Sequence, residues 1–149
     1  MGGIKAVAGV GRKKNIKPDP SNDFEGVYDI DVPDYMEGMK NASVMWQSVV
    51  PKLLERKTLK ITDMHNVEMF CIAYENLRKS QQEVAMMGIT LTTDSGGVIK
   101  NPALTALNEA SKQLAQFGAM LGLDPASRSR LMGDGGKKKG NAFAEVLNM

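Results

Sequence analysis

A long amphipathic pattern runs through residues 62–87, TDMHNVEMFCIAYENLRKSQQEVAMM. Apolar side chains recur there alternately every three and every four positions, as in the a and d positions of a heptad repeat, and Gln81 is the one polar member. The apolar members are Val67, Phe70, Tyr74, Leu77 and Val84. With Thr62 as the N-cap and Gly88 as the C-cap, the pattern predicts a helix of roughly 37 Å.

A turn and a second amphipathic pattern follow this helix. Two β-prone stretches flank the sequence DSGG at residues 94–97, which predicts a short β-hairpin. Asn101 then provides an N-cap and Pro102 a first helical residue, and Gly122 ends the pattern. The apolar face of this second helix consists of Leu104, Leu107, Leu114, Phe117 and Leu121. These signals predict a long antiparallel helical hairpin with a short β-hairpin connection.

Shorter helices are expected on both sides of the helical hairpin. Residues 34–56 carry one apolar stripe that includes Trp46, and Pro51 should kink or restart that helix. On the other side, the Asp-Pro pair at residues 124–125 opens a short helix that ends near Leu131. The predicted fold class is therefore mainly α, with flanking shorter helices around the hairpin and flexible basic termini.

The charge distribution divides the chain into three regions. Residues 1–38 combine a basic arm with a Pro-containing acidic linker, and we expect them to be flexible. Residues 39–131 form the helical core and the oligomerisation domain, and residues 132–149 form a flexible basic C-terminal tail. If the linker docks on the core, it uses its apolar side chains, which are Tyr28, Ile30 and Val32.

The composition excludes several classes of protein. With 42% hydrophobic and 24% charged residues, the 149-residue chain can bury a core without disulfides or a metal. Its one cysteine, Cys71, can form no internal disulfide, which argues against a secreted scaffold. No run of 18 apolar residues predicts a membrane span, and the N-terminus does not read as a signal peptide. We therefore expect a soluble, cytoplasmic protein without membrane contacts.

Residues suited to catalysis or metal binding are sparse. Cys71 and the single histidine, His65, are six positions apart on one predicted helix, so their side chains point about 120° apart and cannot act as a pair. One thiol and one imidazole are too few ligands for a zinc site. The acidic residues 29–40 lack the glycine and glutamate of a calcium loop, and residues 133–140 lack the spacing of a phosphate-binding loop. We expect no enzyme activity, no cofactor and no metal, with Cys71 in the core and His65 exposed.

Basic residues concentrate at the two ends of the chain. Such clusters bind a DNA phosphate backbone without reading its sequence, because they release condensed counterions. The candidate DNA-binding residues are Lys5, Arg12, Lys13, Lys14, Lys17, Arg128, Arg130, Lys137, Lys138 and Lys139. The alternative interpretation is that these residues serve only solubility. Aromatic residues are 5% of the chain, which disfavours the binding of single strands by base stacking.

Additional apolar residues widen the face of the first long helix. These residues are Met69, Ile72, Met86 and Met87. Either the helix that contains Trp46 covers this face, or a neighbouring subunit does, since methionine-rich surfaces adapt easily to partners. Under the second hypothesis the chain is a homo-oligomer. The candidate oligomerisation residues are Val67, Phe70, Tyr74, Leu77, Leu107, Leu114 and Phe117.

The order of short motifs along the chain resembles a known family. The motifs are Trp46, Pro51 and Leu53, then Leu59 and Thr62-Asp63, then Asn101-Pro102, and finally LGLDPASRSRL at residues 121–131. Over about residues 40–131 this order is similar to the small subunit of phage terminases, in which a comparable Leu-Gly-Leu-x-Pro motif ends the core. The basic GRKK sequence at residues 11–14 is similar as well.

This resemblance implies a non-catalytic factor in viral genome packaging that acts in the host cytoplasm. In such a factor, the helical core assembles as a homo-oligomeric ring and the basic arm contacts double-stranded viral DNA. The factor recruits and regulates the terminase large subunit, which carries the ATPase and the nuclease. Arg128 and Arg130 would bind phosphate or pair with carboxylates of a neighbour. The tail would dock on the large subunit as a short amphipathic helix through Phe143, Val146 and Leu147.

Two other functions remain as alternatives. The first is a helix-turn-helix type DNA-binding regulator, which needs a basic recognition helix. The helix that follows Asn101 carries only Lys112 as a basic residue, which argues against it. The second is a helical capsid or tail adaptor protein without affinity for DNA. Salt-dependent DNA binding and the size of the assembly would distinguish the three functions.

Overall fold

Four helices and one β-hairpin make up the fold. The structure, a computed structural model, describes residues 23–132. In chain order, the elements are a 3₁₀ turn (Asp34–Met36), α1 (Lys40–Glu55), a second 3₁₀ turn (Ile61–Asp63), α2 (Met64–Met87), β1 (Thr90–Thr92), β2 (Val98–Lys100), α3 (Pro102–Met120) and α4 (Pro125–Met132). The mainly α fold and the helical hairpin are confirmed. The expected flexible termini lie outside the described residues, and the division into three regions stays a prediction.

Helix α2 is the central element. Its most extensive packing is against α3, and α1 packs against it as well. The core side chains are Met36, Ala42, Trp46, Val50, Leu53, Leu54, Leu59, Val67, Phe70, Cys71 and Leu121. The Cβ of an alanine at Gly118 would lie 3.3 Å from Phe70 Cε2, so the missing side chain lets α3 approach α2 closely.

Helix α1 differs from its prediction at its start, and it does not restart at Pro51, where the alternative of a kink stays a prediction. It begins at Lys40, because the predicted start is occupied by the separate turn Asp34–Met36. It then runs through Pro51 without a restart. Pro51 and Gln47 are both exposed, so water can solvate the Gln47 carbonyl that loses its helical hydrogen bond.

The N-terminus of α1 is capped by a residue from another helix. Met39, at the N-cap position, supplies no side-chain acceptor. Glu75 of α2 fills this role, since its Oε2 accepts hydrogen bonds from the backbone N–H groups of Asn41 (2.7 Å) and Ala42 (3.0 Å). The Glu75 carboxylate is buried, and its Oε1 lies 3.1 Å from Lys79 Nζ. This contact fixes how α1 sits on α2.

The acidic linker packs on the core for part of its length. The indole Nε1 of Trp46, which is 1% exposed, donates a hydrogen bond to Ile30 O at 2.9 Å. Ile30 and Val32 are partly buried against the core. Tyr28 is 85% exposed, so the expectation that it docks with them is wrong. Tyr28 directly follows the turn in which the Val27 N–H donates to Phe24 O, and the chain packs on the core only after it.

The start of α2 also differs from its prediction. Thr62 is not the N-cap, because it lies inside the turn Ile61–Asp63 and the helix begins at Met64. The Asp63 carboxylate accepts the backbone N–H of Lys60 at 3.3 Å, which stabilises this preceding turn. A local hydrogen bond between an aspartate and the backbone thus displaces the expected cap. The other end matches its prediction, since Gly88 ends α2 with φ 86°.

The β-hairpin joins α2 and α3 as predicted. Strands β1 and β2 pair antiparallel, with Leu91 opposite Ile99. Asn101 is 2% exposed and has two tasks. Its Oδ1 accepts the Ala103 N–H at 2.9 Å and caps α3, while its Nδ2 donates to Gly88 O at 2.8 Å. One side chain therefore links the end of α2 to the start of α3.

A sharp corner connects α3 to α4. Gly122 has φ 66°, its N–H donates to Ala119 O, and the Leu123 N–H donates to Gly118 O. This is the Schellman pattern, for which glycine is the favoured residue. Asp124 Oδ1 accepts the backbone N–H of Ser127 at 2.8 Å and caps α4 as predicted. None of the helices in the described part of the chain is long and apolar enough to cross a membrane.

Candidate nucleic-acid interface

Most of the predicted DNA-binding residues lie outside the part of the chain that the structure describes. They are the arm residues Lys5, Arg12, Lys13, Lys14 and Lys17 and the tail residues Lys137, Lys138 and Lys139. The structure describes two others, Arg128 and Arg130, and both lie on α4.

Arg128 is engaged in the fold itself. It is half-buried, and its Nη2 donates a hydrogen bond to Leu123 O at 3.1 Å. Its Nε is buried and has no hydrogen-bond partner among the described residues. Since Leu123 lies at the corner between α3 and α4, Arg128 holds α4 against the end of α3. A role in phosphate binding or in pairing with a neighbour stays a prediction for this residue.

Arg130 is the exposed member of the pair. Its Nη2 donates to Ser127 Oγ at 2.9 Å, and the backbone N–H of Ser127 in turn donates to Asp124 Oδ1. Hydrogen bonds from the side chain and backbone of Ser127, together with the positive charge of Arg130, hold the pKa of the Asp124 carboxyl below its usual value. The Arg130 charge thus lies near a carboxylate of its own chain.

A basic surface that was not predicted from the sequence lies at the end of α1 and in the loop before α2. It consists of Lys52, Arg56, Lys57 and Lys60, which we call the basic loop. Lys52 and Lys57 are exposed, Arg56 and Lys60 are half-buried, and none of the four forms an ion pair with another described residue. Four cations within nine residues could have predicted this surface. They were overlooked because they are interspersed with the apolar stripe of α1.

The N-terminal arm joins the fold beside the basic loop. Asp23, the first described residue, accepts the backbone N–H of Ile61 on its Oδ2 at 3.2 Å. Ile61 directly follows Lys60 in the chain. The segment that precedes Asp23 in the sequence is therefore attached to the core next to the basic loop.

The predicted oligomerisation residues lie mainly in the contact between α2 and α3. Val67 and Phe70 are buried, and Leu114 and Phe117 pack against the same core. Tyr74, Leu77 and Leu107 are half-buried. This seam is used within the subunit, and its part in contacts between subunits stays a prediction.

Exposed apolar side chains collect instead at the end of the helical hairpin. They are Met86, Met87, Ile89, Val98 and Ile99, which we call the hairpin end. Helix α1 does not cover Met86 and Met87, whereas Ile72 packs against the core. The hairpin end combines the last two residues of α2, Ile89 just before β1, and two residues of β2.

The chain was compared with known protein families. Residues 42–138 match the family described as phage terminase, small subunit, and this range is 97 of the 149 residues. The chain belongs to the phage terminase small-subunit family. Its general role is therefore in phage DNA packaging, and the family is generally non-catalytic. No curated protein and no solved structure matches the chain.

Reactive side chains of this terminase small subunit are shielded or isolated. Cys71 is buried as predicted, and burial raises the pKa of its thiol to about 12, so the thiol stays protonated and unreactive at neutral pH. His65 is exposed, also as predicted. Within residues 23–132, no three His, Cys, Asp or Glu side chains are grouped to hold a metal ion.

Proposed function

We propose that this terminase small subunit is a non-catalytic packaging factor that binds double-stranded viral DNA, assembles as a homo-oligomeric ring and recruits the large ATPase–nuclease subunit. Membership of the family is the observation that carries the proposal. The factor works inside the host cell, where the viral genome is packaged.

The arm supplies the principal DNA contact in this proposal. Lys5, Arg12, Lys13, Lys14 and Lys17 bring five positive charges against one acidic residue in positions 1–20. Asp23 ties the arm to the fold at Ile61, so phosphates bound by the arm lie near the core. Binding through phosphates alone tolerates any sequence, which suits a factor that handles a whole genome.

Assembly uses exposed apolar surface in this proposal. The hairpin end presents five large apolar side chains that the subunit leaves uncovered. A two-stranded sheet is only marginally stable by itself, so a second copy of the chain that packs on the hairpin end would stabilise both. The ring would bury these residues between subunits.

A helix-turn-helix regulator is less well supported. Lys112 is the only basic residue of α3, and its Nζ lies 3.9 Å from Glu109 Oε2. Helix α3 therefore lacks the basic face with which a recognition helix enters the major groove.

Light scattering of the full chain tests the proposal. We expect one species much heavier than a tetramer of 16.2 kDa chains, retained in high salt. Duplex DNA should shift this species only at low salt, because phosphate contacts weaken as salt rises. Replacement of Arg12, Lys13, Lys14 and Lys17 by Ala should remove most of the shift and leave the mass unchanged. A monomer or dimer that ignores DNA at low salt would overturn the proposal.

A further inference from the structure

The basic loop holds a cation at a position where the backbone favours glycine. Helix α1 ends in the same Schellman pattern as α3, since the Lys57 N–H donates to Leu54 O at 2.9 Å and the Thr58 N–H donates to Leu53 O at 3.3 Å. Lys57 takes the left-handed conformation with φ 54°, the place that Gly122 takes in α3. Left-handed backbone is unfavourable for a residue with a Cβ. The chain thus keeps a lysine where glycine would fit with less strain.

The other three cations surround this position. Lys52 and Arg56 are four residues apart on α1, so they share one face of its last turns. Lys60 follows three residues after Lys57, just before the turn Ile61–Asp63. None of these four cations forms a contact ion pair with a described carboxylate, so each head group is available to a phosphate.

Four carboxylates stand near the basic loop in the described part of the chain. One of them is Asp23, which accepts the backbone N–H of Ile61 beside Lys60. Glu55 is exposed on α1, and the Asp63 carboxylate is bonded to the Lys60 backbone. Glu25 of the linker lines the same groove of about 490 Å³ as Lys57. This glutamate reduces the positive potential at Lys57 without forming a contact ion pair.

The arm extends this surface. Lys17 is six residues before Asp23, so chain length alone keeps it within roughly 20 Å of the bond between Asp23 and Ile61. A duplex that lies along the basic loop is therefore within reach of the cations of the arm. A single protein carboxylate would need only one of these cations, whereas a row of phosphates uses all of them.

We propose that the basic loop, Lys52, Arg56, Lys57 and Lys60, is a second DNA-phosphate contact of the chain, adjacent to the arm. The inference rests on the proposed DNA binding and adds a contact surface on the folded core. Arm and core then hold neighbouring phosphates of one duplex. The contact does not read sequence, because it is made to phosphates, which are the same at every base pair.

The test measures binding of a labelled duplex to the full chain by fluorescence anisotropy, between about 50 and 200 mM salt. The principal variant is Lys57→Gly together with Lys60→Ala. The slope of log K against log salt should become shallower by about 1.8, which is 0.9 for each lost phosphate contact. Lys57→Gly alone should give about half of this change and a higher midpoint of thermal unfolding, since glycine relieves the backbone.

Two further variants distinguish binding through the basic loop from a general effect of the net charge of the chain. Lys112→Ala removes one exposed cation from α3 and should leave the slope unchanged. Glu25→Gln removes the facing carboxylate and should tighten binding. If the unmodified chain binds no duplex, the proposed function fails and this inference fails with it. If the unmodified chain binds and the Lys57→Gly, Lys60→Ala variant retains its slope, only the role of the basic loop as a DNA contact is excluded. The proposed function is then unaffected.

Discussion

At the residue scale, Glu75 caps the N-terminus of α1 from another helix, a role that a residue next to the helix start usually fills. Two backbone N–H groups of α1 and the Lys79 ammonium surround its carboxylate, which is 3% exposed. Hydrogen bonds to a charged partner contribute about 1.5–3 kcal/mol each in folded proteins. We expect Glu75→Gln to lower the free energy of unfolding by about 2 kcal/mol, measured by urea denaturation with circular dichroism. Glu75→Leu should cost more, because both N–H groups then lack an acceptor.

The pKa of Glu75 adds a pH dependence to this prediction. Burial by itself would raise the pKa, but the hydrogen bonds from Lys79, Ala42 and Asn41 and the charge of Lys79 hold it below the usual value. In the unfolded chain the pKa is about 4.3. The stabilisation is therefore complete above about pH 4.3 and is lost as the pH falls through the lower pKa of the folded state. Glu75→Gln should remove this part of the acid sensitivity.

Glu109→Gln is the matched control for Glu75. Glu109 is exposed on α3 and lies 3.9 Å from Lys112, so its removal should change stability by less than about 0.5 kcal/mol. Equal effects of the two substitutions would contradict the role assigned to Glu75.

At the scale of elements, Asn101 holds the two long helices and the β-hairpin together. Asn101→Ala removes the cap of α3 and the donor to Gly88 O in one step. We expect a loss of about 2 kcal/mol in the free energy of unfolding, measured by urea denaturation. Asn101→Ser keeps a cap acceptor and loses the donor, so its stability should lie between those of the parent and the alanine variant. A serine variant no better than alanine would mean that the cap contributes nothing.

Short-range signals predicted the elements well. Gly88, Asn101, Pro102, Gly122 and the capping Asp124 act where the sequence pattern put them, because each interacts with backbone only a few residues away. The helical hairpin follows from those boundaries together with the apolar period. The terminase family was recognised from the order of short motifs, of which Asn101-Pro102 and the segment around Gly122 are two.

Long-range contacts account for what the sequence did not predict. The partner of Glu75 is 33 residues distant, and the contact of Trp46 with Ile30 spans 16 residues. Neither pairing leaves a periodic pattern. The basic loop was missed for another reason, since its cations alternate with core residues of α1 and of the following loop such as Leu53 and Leu59.

On the scale of the whole molecule, α2 separates two surfaces. The basic loop lies before its first residue and the hairpin end begins at Met86, near its last residue, so about 33 Å of helix lies between them. Contacts with DNA at one end and contacts between subunits at the other can therefore form in the same molecule without competition. Substitutions at each end should affect one property and spare the other.

The hairpin end is the surface on which this separation can be tested. Val98 and Ile99 are exposed strand residues that leave the core untouched, so Val98→Ser with Ile99→Ser should fold normally. If subunits meet there, loss of this apolar area should lower the mass measured by light scattering and make it depend on concentration. Val44→Ser, at another exposed valine, on α1, should leave the mass unchanged. An assembly that survives the double substitution would contradict a subunit contact at Val98 and Ile99.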